Sequence, residues 1–154
     1  MEMQEDAVAE LEDLRQRLEL AFAPDTALPR AVVGQPPECT PSSGHCAVVS
    51  AIVREAFGGD LVSASVNGES HWFNRVQVHG DAFDVDLTGD QFGFPRLQIA
   101  PPASLYEGTR RRMPEDLNVE TLQRAVTLAE RAHLIDIASS LRATVARRQA
   151  GLAR

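Results

Sequence analysis

An α+β fold is predicted for this chain, with a buried helix packed against a small antiparallel sheet and further helices at both ends. Three observations carry that expectation. The run Ala47 to Phe57 is too uniformly apolar for a surface helix. Three segments of alternating polarity follow it, joined by tight-turn signals. Helical apolar stripes lie on either side, over 5–22 and 117–149.

The elements follow in order. Over residues 5–22, Val8, Leu11, Leu14, Leu18 and Phe22 recur at helical spacing with charges between them. Residues 24–43 read as a loop punctuated by Pro24, Pro29, Pro36, Pro37 and Pro41, with a short strand expected at Ala31-Val32-Val33. The buried helix begins after Gly44-His45-Cys46, with Ser42 or Ser43 as its expected cap, and Gly58-Gly59 ends it. Strands are expected over 60–66, 71–78 and 82–87, with Asn67-Gly68 and Gly80-Asp81 as the turns. Residues 89–116, rich in glycine and proline, read as irregular. The C-terminal stripe of Val119, Leu122, Val126, Leu134, Ile137, Leu141 and Val145 is expected to break near His133. It has to be covered, and the N-terminal helix, of the same chain or of a symmetric partner, is the expected cover; the latter arrangement would make a homodimer.

Composition narrows the function classes. The 154 residues suit one domain, 1–154, with a core over about 30–100 and helical extensions at 5–22 and 117–149. With 44% hydrophobic and 24% charged residues a packed core is expected, and with only 5% aromatics aliphatic side chains must fill it. A net charge of −7 lacks the positive footprint of a nucleic-acid binder. No apolar stretch approaches the roughly 20 residues of a membrane span, and the first residues hold no signal-like core, so a cytoplasmic protein without a membrane partner is expected. All 15 basic residues are arginine, which removes lysine Schiff-base chemistry and the lysine of a phosphate-binding loop. The two cysteines, Cys39 and Cys46, are expected as free thiols, and no pair of CxxC motifs marks a zinc site.

Cys46, His71 and Asp86 form a constellation with a physical logic. A helix N-terminus offers free N–H groups and a positive dipole end, which favour a thiolate and can hold an oxyanion. A histidine on the strands beside it can pair with the thiolate and later protonate a leaving group. A carboxylate on the next strand can orient the imidazole through its other nitrogen. Asp84, on the same strand face, is the rival third member. Trp72 is expected as core packing, Asn74 as a backbone-capping amide, His79 as a surface residue and His133 as structural. Arg110-Arg111-Arg112 reads as a solvated loop, or else as a site for an acidic partner.

The pieces Gly44-His45-Cys46-Ala47-Val48-Val49, Phe57-Gly58-Gly59, His71-Trp72-Phe73-Asn74-Arg75-Val76, Asp86-Leu87-Thr88 and Gln91-Phe92 resemble the YunG-like family of small bacterial proteins. The cysteine followed by His-Trp-x-Asn and Asp-x-Thr also resembles the core of papain-like and transglutaminase-like cysteine enzymes. That resemblance, over residues 41–92, implies a Cys46–His71–Asp86 triad working on an amide or ester of a peptide, protein or small molecule, with no cofactor and no metal. Hydrolysis is the expected outcome; acyl transfer to an amine, or a non-catalytic binding module on the same fold, are the alternatives. The YunG-like pattern has glutamine where this chain has His45, and papain-like enzymes carry an upstream glutamine. The side-chain half of an oxyanion hole therefore falls to His45 or Gln35.

Overall fold

The computed structural model describes residues 2–27 and 44–152. It is a mixed α+β architecture built from a five-stranded antiparallel sheet and, among the described residues, four α-helices. Helix α1 spans Glu5–Ala21 and a 3-10 turn follows at Pro24–Thr26. Helix α2 spans Cys46–Phe57. Strands β1 (Asp60–Val66), β2 (Glu69–Val78) and β3 (Asp81–Asp86) form a meander. After a 3-10 turn at Gly89–Phe92 come β4 (Gln98–Ala100) and β5 (Arg110–Arg112). Helices α3 (Val119–Arg131) and α4 (Ile135–Leu152) close the fold.

Helix α2 is the hub. Val48 to Val53 are six consecutive buried residues, so the helix is enclosed on every side. Enclosure outweighs the weak helix propensity of its β-branched residues, because burial of each large aliphatic side chain contributes about 1.5–3 kcal/mol. Leu11, Leu14 and Leu18 of α1 and Leu122, Ala125, Leu128, Ala129, Leu141 and Val145 of α3 and α4 share one core with it. The C-terminal stripe is thus covered within the chain, chiefly by α2 and by the pairing of α3 with α4, with a smaller contact to α1. Asn118 caps α3 by accepting the Thr121 N–H at 2.8 Å.

The sheet order is β4-β3-β2-β1-β5. Its first face, with Leu61, Val76, Phe83 and Val85, joins the main core; the second carries Val62, Ala64 and Phe73 under Tyr106. Alternation places His71, Arg75, Asp84 and Asp86 on that second face. Asn74 lies on the first and donates from Nδ2 to the Ser50 carbonyl of α2 at 2.9 Å, the capping-amide role expected of it. Among the described residues no helix is long and apolar enough to cross a membrane.

Several details differ from the sequence expectation. The arginine run is the edge strand β5, paired with β1, and a further short strand, β4, arises in the stretch read as irregular. Neither is long enough to show a two-residue period. The second hairpin turns at His79-Gly80, both with positive φ, one residue earlier than expected. His133 also has positive φ and lies in the turn between α3 and α4, outside either helix. His45 occupies the N-cap position of α2. The expected caps Ser42 and Ser43, the strand at 31–33, Gln35 and Cys39 lie outside the described residues.

The step from α2 into β1 depends on Gly59, whose φ is +82°. A Cβ there would lie 2.2 Å from the Arg75 carbonyl oxygen of β2. Gly59→Ala is expected to destabilise the protein by at least about 2 kcal/mol, since a strained backbone position and a backbone clash add. A urea unfolding midpoint equal to that of the wild type would contradict this.

Candidate active site

Three elements bring the expected residues together. Cys46 opens α2 and is a free, half-buried thiol. His71 lies in β2 and is fully buried; Asp86, the last residue of β3, is 1% exposed. His71 Nε2 lies 2.7 Å from Asp86 Oδ2. A carboxylate only accepts, so the imidazole donates from Nε2 and leaves Nδ1 for other partners. Cys46 lies near enough to the ring for its sulfur to favour the charged imidazole. The Gln91 side-chain amide also lies there, with Nε2 3.4 Å from Nδ1, and can donate to that nitrogen only in the neutral ring.

Asp86 is fixed by donors on both oxygens. Oδ1 accepts the Thr88 N–H at 2.9 Å and the Thr88 hydroxyl at 3.3 Å. Oδ2 accepts from His71 and from the Tyr106 hydroxyl. Burial, the Asp86 charge and the hydrogen bond to it push the Tyr106 phenol well above its usual range, so it stays protonated and donates. Gln98 Nε2 donates to the Tyr106 oxygen at 2.9 Å. Gly89 lets the chain pass this cluster: a Cβ there would lie 2.7 Å from Gln98 Nε2 and 3.2 Å from Asp86 Oδ2.

Rings pack around the imidazole. Phe92 meets it edge-on at 4.9 Å between centroids and Tyr106 at 5.3 Å, while Phe73 lies near-parallel at 6.0 Å. This desolvation works against a charged imidazole. The hydrogen bonds and charges of Asp86 and Cys46 outweigh it, and His71 is raised from 6.5 to about 9.

Asp84, the rival carboxylate, is engaged elsewhere. Its Oδ1 accepts Arg75 Nε at 2.7 Å, and its Oδ2 accepts Arg75 Nη2 at 3.2 Å and the Ala103 N–H at 2.8 Å. His45 is engaged with the segment that follows α1. It is 2% exposed, its Nε2 is 2.7 Å from Thr26 Oγ1, and its ring stacks on Phe22 at 4.1 Å. It ties α2 to the turn after α1. Trp72 is partly buried against the main core, lies under the Arg112 guanidinium at 5.4 Å, and also lines a cavity. That cavity, about 540 Å³, opens beside Cys46 and is bordered by Ala47, Ser70, Trp72, Gln91 and Phe92.

Tyr106 and Gln98 carry no role in the sequence reading, and Phe92 appears there only within the motif piece Gln91-Phe92, although all three complete the site. Tyr106 lies in a glycine- and proline-rich stretch without periodicity, and its being the chain's single tyrosine is the one available signal. Thr88 and Gln91 sit in the motif pieces, but only the folded turn at Gly89–Phe92 shows what they touch. Among the described residues no group of three or more His, Cys, Asp or Glu side chains is placed to hold a metal ion.

The raised His71 fixes a pH dependence. A group with a higher folded than unfolded value stabilises fully below the unfolded value of 6.5 and loses that contribution as pH rises through about 9. Stability against urea is expected to fall between about pH 7 and pH 9.5, and His71→Gln is expected to remove that component of the slope. An NMR titration of the ring with a midpoint at or below the ordinary histidine value would contradict the assignment.

A family model described as YunG protein matches residues 10–132. No significant match was found among curated proteins or solved structures.

Proposed function

Since the chain belongs to the YunG protein family, whose model also spans the site, we propose that Cys46, His71 and Asp86 carry out thiol-dependent hydrolysis of an amide or ester bond on a papain-like or transglutaminase-like core. The observation that carries this reading is the buried chain of contacts from Thr88 and Tyr106 through Asp86 and His71 to Cys46, ending at a helix N-terminus beside a cavity. A solely structural histidine does not need its carboxylate so fully engaged and a thiol beside its ring.

The Cys46 thiolate, paired with the His71 imidazolium, attacks the carbonyl carbon, and the carbonyl electrons move onto oxygen. The backbone N–H of Cys46, in the unpaired first turn of α2, stabilises that oxyanion. The Gln91 amide, next to the same pair, offers a side-chain donor as well, since the Thr88 carbonyl at 3.0 Å takes only one of its two hydrogens. As the tetrahedral adduct collapses, His71 passes its proton to the departing amine or alcohol, leaving a thioester on Cys46. Water then adds to the thioester while His71 takes its proton; the acid leaves and the thiolate–imidazolium pair is restored. Asp86 holds the ring with Nε2 as donor throughout, which leaves Nδ1 to exchange the proton. No step needs a cofactor.

In a Cys39→Ser background, iodoacetamide near pH 7 and p-nitrophenyl acetate both report on Cys46. Acetylation should appear as the mass of one acetyl group and vanish in Cys46→Ala. His71→Ala should slow alkylation by about 10-fold or more by removing the ion pair. Asp86→Asn should affect alkylation less but lower ester turnover by about 10²- to 10⁴-fold. Asp84→Asn should lower stability and leave the alkylation rate alone. Equal alkylation of wild type and His71→Ala would reject the reading.

A further inference from the structure

Arg124 of α3 lines the same cavity as Cys46. Its Nε is buried without a hydrogen-bond partner, and its Nη2 donates to the Thr121 hydroxyl at 3.1 Å. No carboxylate lies within ion-pair distance of it among the described residues, whereas Arg15, Arg75, Arg96, Arg131 and Arg142 each lie against one. Burial holds the Arg124 guanidinium below its usual range, and attraction from Glu120 offsets this only in part. An incompletely paired, partly desolvated guanidinium is costly unless something anionic completes it.

We infer that the cavity beside Cys46 takes a substrate bearing a free carboxylate, and that Arg124 is the side chain that holds it. This rests on the reading of Cys46 as the nucleophile. A guanidinium offers forked donors that match a carboxylate, and about 540 Å³ suits a small amide or a short peptide end. Two acids, Glu69 and Asp116, also border the cavity, but both are exposed, and Asp116 accepts the Met113 N–H at 3.0 Å. Water screens these exposed acids, whereas Arg124 is partly buried and is the one cation that borders the cavity among the described residues. The other apolar and polar walls, Trp72, Phe92, Asn118 and Thr121, contact the uncharged part. The carboxylate can belong to a peptide C-terminus or to an acidic side chain, as both present the same group.

Matched thiol reagents test this. In the Cys39→Ser protein, second-order rates are measured for N-ethylmaleimide and for two maleimides whose nitrogen carries a propionate or a hexanoate. The wild type is expected to react faster with at least one acidic reagent than with the neutral one, relative to free cysteine. Arg124→Gln is expected to lower that ratio by about 10-fold, and Arg124→Lys, which keeps the charge, to retain part of it. Protection of Cys46 against N-ethylmaleimide by N-acetyl-diglycine, or by N-acetyl-aspartate amide, separates the two sources of the carboxylate. Fast reaction with every maleimide at one ratio in wild type and Arg124→Gln, without protection, overturns the role of Arg124 and leaves the nucleophile standing. Slow reaction with all of them, unchanged by His71→Ala, overturns both. Circular dichroism of each variant confirms that it is folded.

Discussion

The buried carboxylate of Asp86 is the constraint on which the rest of the arrangement depends. A carboxylate removed from water is costly unless each oxygen finds donors, and here both do. Those donors come from separate pieces of chain: β2, the turn after β3, and the excursion between β4 and β5. Satisfying one residue therefore fixes the orientation of the imidazole, the path of the Gly89–Phe92 turn and the position of Tyr106 together. Removing Asp86 leaves a buried imidazole and a half-buried phenol short of an acceptor, so its effect extends beyond a single hydrogen bond.

The second organising element is helix α2. Because it is enclosed by α1, α3, α4 and the sheet, its N-terminal end is fixed beside the cavity that Cys46 borders with Gly68 to Ser70. The contacts that hold it are ordinary: aliphatic packing, the Asn74 amide on the Ser50 carbonyl, and His45 on Thr26. None of them touches the sulfur. Separating the packing of the helix from the environment of the thiol lets the core be dense while the first turn of the helix stays open.

Much of this was legible in the sequence, for identifiable reasons. The long periodic segments were readable because burial acts on many residues at once: α1, α2 and the β1–β3 meander fall within a residue or two of expectation. The juxtaposition of His71 with Asp86 follows from two adjacent strands with a short turn, and the competing Asp84 is removed by Arg75, directly opposite it in the ladder. What the sequence hid was contact made by irregular chain. β4 and β5 owe their strand geometry to neighbours already in place, and Tyr106 reaches Asp86 across twenty residues without local pattern. His45 matched the position of a motif residue, yet its neighbours Phe22 and Thr26 turn it into a buried strut.

The strand order has a temporal consequence. β4 and β5 are neighbours in sequence but lie on opposite edges of the sheet, so the chain between them must travel from one edge to the other, and it carries Tyr106. That passage has nothing to lie on until the meander exists, and loop closure of this kind is slow compared with forming helices and hairpins. The polar cluster around Asp86 is therefore completed late, after the hydrophobic framework is in place. A nascent chain stopped before this point would hold the helix, the thiol and the imidazole without the phenol that completes the donor set of the carboxylate.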